Sequence, residues 1–181
     1  FCVLPGGTDH LPVGVKTEYI YTERLFLVAG KGMITEDMLV SPGGQLARDA
    51  SNILEELPEV DLRKLRDFPF IIMKRGQYIR RKVDDIFRRF DFLPKEIMEV
   101  SSCISATQLA ASGLGVTIVP ERAIVPFQNP NFCVYNYGPT PDCWEVNAVY
   151  KESIYLGEAE RGLIETMQQV FEAESSDRNS R

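Results

Sequence analysis

Apolar residues recur along the chain with two periods, one of strands and one of helices, and they alternate in a way that predicts an α/β protein. Phe1 to Leu4 reads as a short buried strand, and PGGTDHLPVG after it as a loop. TEYIYTERLFLVAG follows; its second half is β-forming, with a strand core expected at Arg24 to Ala29, ended by Gly30 and Gly32. Between Gly44 and Leu57, the positions Leu46, Ala50, Ile53, Leu54 and Leu57 keep helical spacing until Pro58 stops the pattern. Asp61 to Leu65 predicts one helical turn, Phe70 to Met73 a buried strand, and KRGQ a polar loop centred on Gly76. In RRKVDDIFRRF, Val83, Ile86, Phe87 and Phe90 mark a helix whose other face would carry Arg80, Arg81, Lys82, Arg88 and Arg89.

The second half continues the alternation. Glu96 to Val100 predicts a short strand, and a helix follows with Ala106, Leu109, Ala110 and Gly113 on one stripe. Val116 to Val119 is the next strand, ended by Pro120, with a loop expected at Pro126 to Pro130 and a strand at Phe132 to Tyr137. After the turn PTPD, Trp144, Val146, Ala148 and Tyr150 alternate as one buried face of a strand. Glu158 to Glu174 predicts a final helix with Leu163, Met167, Val170 and Phe171 on its apolar side, and SSDRNSR predicts a disordered tail over 175–181. This order implies α/β architecture with a largely parallel sheet.

Composition narrows the function. With 181 residues and 44% hydrophobic content, the chain can form one sizeable domain or two small lobes. Its net charge of -6 and pI of 4.9 disfavour direct binding to DNA or RNA. Cys2, Cys103, Cys133 and Cys143 include no CxxC pair, and His10 is the sole histidine, so a zinc site is unsupported and no cofactor is expected. Packed, reduced thiols and the absence of a signal segment predict a cytoplasmic location. No apolar run approaches the ~18 residues of a membrane span. His10 beside Asp9 has no activated nucleophile near it, and no P-loop, GxGxxG or GxSxG occurs, so no enzyme is expected. The chain starts within a predicted strand and without Met, as a piece of a longer protein would.

The segment ISATQLAASGLGVTIVP carries the chemistry. Small residues at Ala106, Ala110 and Gly113 allow a helix to approach a sheet closely, and Gly113 or Gly115 can take a positive φ at its end. Ser101 or Ser102 can cap its start or bind a ligand; the two roles are compatible because a cap uses one hydroxyl. Helix N-termini favour anions, so a small carboxylate-bearing molecule is the natural guest.

EVSSCISATQLAASGLGVTIVP resembles the effector-binding domain of LysR-type transcriptional regulators, which shows a strand, a serine pair, a helix and then GlGv-lP. FCVL, YTERLFLV, DLRKLRDFPFIIMKRG and RRKVDDIFRRFDFLP are similar to further family segments in the same order. The chain departs from the pattern at KGMITEDML, where the family often has HPL, and at 31–60, which is longer than usual and reads as an inserted helix.

The resemblance implies a periplasmic-binding-protein-like fold of type 2, two α/β lobes joined by crossover strands, with lobe I incomplete in this chain. Residues 1–29 would supply part of lobe I and the first crossover, 30–138 lobe II, and 139–174 the return crossover with a lobe I strand and helix. The implied ligand positions are Gly7 and Thr8 in lobe I, and Lys74, Arg75, Gly76, Gln77, Ser101, Ser102, Val119 and Pro120 in lobe II. An effector-sensing domain follows, binding a small anion, dimeric or tetrameric in its parent, and regulating DNA binding by a separate helix-turn-helix. The basic helix face is then either solvated or a subunit contact. A solute-binding protein of a transport system is the competing reading; a helix-turn-helix or a secretion signal upstream would separate the two.

Overall fold

In a computed structural model of the chain, residues 1–6, 11–40, 57–124 and 131–179 are described. The predicted helix over Gly44 to Leu57 and the loop at Pro126 to Pro130 thus fall almost wholly outside the described residues. The chain divides into two compact units, one formed by 1–23 with 143–181 and the other by 24–142.

The second unit holds the Ser-Ser segment. Its strand order is β6 (Phe132–Tyr135), β2 (Val15–Gly30), β5 (Val116–Pro120), β3 (Pro69–Met73) and β4 (Glu96–Val100). β3 runs parallel to β4 and β5, whereas β2 is antiparallel to β5 and β6. β3 and β5 are almost wholly apolar because strands in the middle of this mixed sheet are covered on both faces; Phe70 to Met73 and all five residues of β5 are buried. Thr117 is the polar exception, and its hydroxyl donates to Ile71 O at 2.7 Å. β4 lies at the edge with Glu96 to Glu99 exposed.

Two helices pack on this sheet. Helix α1 (Tyr78–Arg89) buries Ile79, Val83, Ile86 and Phe87, and Phe87 meets Phe70 edge-on at 5.2 Å between ring centroids. Helix α2 (Cys103–Ala111) buries only Ala106, Thr107 and Ala110. The two glycines after it divide the work. Gly113 takes the left-handed backbone, φ +79°, with open space around it. Gly115 is needed for room: a Cβ there would strike the Pro69 carbonyl oxygen and lie 3.3 Å from Ile71 Cγ1. A Cβ on Gly30 would lie 3.0 Å from Ala110 O, so α2 touches β2 through backbone.

The basic face expected on α1 is largely exposed at Arg81, Arg88 and Arg89, and Arg80 alone is buried. Arg80 is 6% exposed and held by ion pairs, Arg88 pairs with Asp85, and Arg89 Nη1 donates to Asp142 at 2.9 Å. The Asp142 bond raises the Arg89 pKa against the opposing effect of burial.

In the first unit, β7 (Cys143–Lys151) lies between β1 (Cys2–Pro5) and β2. Its core joins Ile20, Ala148, Leu156 and Ile164, with Tyr21, Tyr150, Met167 and Phe171 against it. Four expectations change here. β1 is an edge strand that pairs with β7 and leaves all four of its residues exposed, not buried. β7 buries Asn147 and Val149 as well as Trp144, Val146 and Ala148, while Tyr150 is half-buried; Asn147 donates to Gly6 O at 3.0 Å. Helix α3 (Glu158–Asn179) faces the core with Ile164, Met167 and Phe171, while Leu163 and Val170 are about half exposed. It also runs through Asn179, beyond the start of the expected disordered tail.

Candidate functional site

Parallel strands bring their carboxyl ends to one edge, and the connections to the following helices emerge there. In the second unit, the register Met73↔Val100 sets the ends of β3 and β4 side by side. The Lys74–Gln77 loop leaves one, and Ser101–Ser102 leave the other. Lys74 N donates to Val100 O at 2.9 Å, and Gln77 Nε2 donates to Ser101 O at 3.0 Å. A backbone carbonyl only accepts, so this bond also fixes which end of the Gln77 amide faces Ser101. The structure therefore joins Gln77 directly to the serine pair that sequence spacing could only place nearby.

Both α1 and α2 start at this edge, so the partial positive charges of two helix N-termini lie along it. Ser102 is the N-cap of α2, and its Oγ accepts from Ser105 N at 3.4 Å. That bond leaves the hydroxyl hydrogen available to an acceptor. Lys74, Arg75 and Gly76 are exposed, with Gly76 in the turn at φ +93°, while Gln77 and Ser102 are half-buried and Ser101 is exposed. Gln77 Oε1 is buried without a hydrogen-bond partner among the described residues.

The remaining expected positions differ. Val119 and Pro120 pair with Phe26 and Leu25 and are buried, so their side chains belong to the packing beneath the edge. Gly7 and Thr8 lie outside the described residues. Two features went unrecognised in the sequence. Glu121, 6% exposed in the 3-10 turn after β5, forms an ion pair with Arg24 at 3.6 Å. Arg80 sits directly behind the edge. Its burial disfavours the charge, but the bonds it donates to Glu99 and Asp84 outweigh that and raise its pKa. Spacing held a clue: Arg80, Val83 and Phe87 form an i, i+3, i+7 series on the apolar stripe. Among the described residues, no group of three or more His, Cys, Asp or Glu is placed to hold a metal ion.

The strand order and helix placement define an α/β ligand-binding fold of the periplasmic-binding-protein type 2 kind, and solved structures share it. The regulatory domain of Synechocystis PCC6803 CcmR in complex with 2-PG superposes with a TM-score of 0.70 at 12% identity, over 93% of this chain and 72% of that one. The BenM effector-binding domain with its effector benzoate gives a TM-score of 0.67 at 19% identity, over 96% and 70%. The family model described as LysR substrate binding domain matches residues 6–172, and the chain belongs to that family. Among curated proteins, it is similar to YcgK, an uncharacterised HTH-type transcriptional regulator of Bacillus subtilis, at 38% identity over 64 residues. That match covers 35% of this chain but only 20% of YcgK.

Proposed function

We propose that the chain is the effector-sensing part of a LysR-type transcriptional regulator and that it holds a small anion at the carboxyl edge of β3 and β4. The carrying observation is the convergence there of two helix N-termini and the cations Lys74 and Arg75, tied together by the Gln77–Ser101 bond. Each helix terminus contributes about 0.3–1 kcal/mol to a nearby anion, and a lysine or arginine adds a charge-assisted hydrogen bond. Ser101 and Ser102 offer hydroxyl donors. Gln77 Oε1, buried and unmet among the described residues, is an acceptor, so it adds nothing to the hold on an anion and would meet only a donor group elsewhere on a ligand. Benzoate, in the BenM structure, is an anion of the class this edge favours.

Binding without catalysis is the proposed activity. The parent protein would carry a DNA-binding helix-turn-helix, as the name of YcgK indicates for that relative, and would act in the cytoplasm as a homodimer or tetramer. This chain would not itself bind DNA. Among the described residues, no helix is long and apolar enough to cross a membrane.

An amide NMR titration of the chain with sodium benzoate, and separately with inorganic phosphate, tests the reading. Saturable shifts should concentrate at 74–77 and 101–105 with at least one probe. Shifts confined to other regions, or no saturable shift with either, would contradict it.

A further inference from the structure

We infer that Arg80 is the positioning residue of the anion site, acting through the ends of β3 and β4 without touching the ligand. The inference rests on the proposed anion reading. Arg80 spreads one buried guanidinium over three acceptors: Nη1 reaches Met73 O at 3.1 Å and Glu99 Oε1 at 2.6 Å, and Nε reaches Asp84 Oδ1 at 2.9 Å. The first bond fixes the peptide from which Lys74 springs. The second holds β4 two residues before Ser101. β4 is an edge strand with largely exposed side chains, so little side-chain packing holds its carboxyl end in place. Arg80 thus sets the spacing between the two segments that the site must bring together.

Charge counting separates this role from direct attraction. One guanidinium with two carboxylates sums to -1, so the cluster as a whole does not draw an anion. Its contribution is geometric, which calls for a planar fork of donors that a lysine cannot supply.

The diagnostic variant is therefore R80K in the 181-residue chain, which preserves every charge and loses the fork. Benzoate affinity, measured by calorimetry, should fall about tenfold, the scale of one charge-assisted hydrogen bond. Amide hydrogen exchange should accelerate at 74–77 and 101–105 while α3 keeps its wild-type rates. Wild-type affinity in R80K, or exchange that is unchanged or accelerates uniformly, overturns the inference. If the wild-type chain binds neither benzoate nor inorganic phosphate, the anion reading is the part that fails, and the exchange pattern still decides whether Arg80 fixes the strand ends.

Discussion

Helices α1 and α2 lie on the same sheet and are held to it by opposite means. α1 is held by volume: Phe87 packs with Phe70 and with Phe92, whose ring centroid lies 5.1 Å from it. α2 is held by closeness: its buried residues are two alanines and a threonine, and it meets β2 where Gly30 has no side chain. Large side chains define how tightly an element is bound but leave some freedom in where it sits. Backbone contact leaves almost none. Of the two helix N-termini at the site, the one that carries the serine cap belongs to the helix packed through glycine and alanine.

Substitutions can break this contrast. The largest loss of stability is expected for F87A, about 3–5 kcal/mol from the lost burial and residual cavity, read by urea denaturation. Because Phe87 lies about two turns along α1 from Arg80, benzoate affinity of the folded fraction should change less than about threefold; a larger loss would show that this packing also sets the site. A smaller stability loss, about 1–3 kcal/mol, is expected for G115A, where the methyl would meet the Pro69 carbonyl. Here affinity should fall more than about tenfold, since relief requires β5 or the α2 connection to shift. If G115A binds normally, closeness does not govern the aim of α2.

Much of the second unit was legible because its elements carry clear periods. The FIIM run and the Val83, Ile86, Phe87 stripe appear as β3 and α1, and the small-residue helix appears as α2 with Ser102 at its cap. What escaped depends on partners far away in sequence. Arg80 looked like one member of a basic run because Met73 O and Glu99, which bury it, belong to β3 and β4. Glu121 looked like an ordinary acidic residue after a strand because Arg24 is about a hundred positions away. In α3, Leu163 and Ile164 fit an apolar stripe almost equally well, and only the position of Ala148 and Ile20 selects Ile164. At the site, spacing indicated the loop and the serine pair, but not the side-chain bond from Gln77 that joins them.

The smallest stability effect accompanies the most direct test of the anion site. In S102A, loss of the long 3.4 Å cap bond should cost no more than about 1 kcal/mol. Calorimetry with the benzoate or phosphate probe that binds the wild-type chain should show affinity lowered about tenfold, equivalent to about 1.4 kcal/mol from one hydroxyl bond to a charged acceptor. Unchanged affinity together with the cap-sized loss of stability would make Ser102 a helix cap alone and contradict its assignment to the ligand.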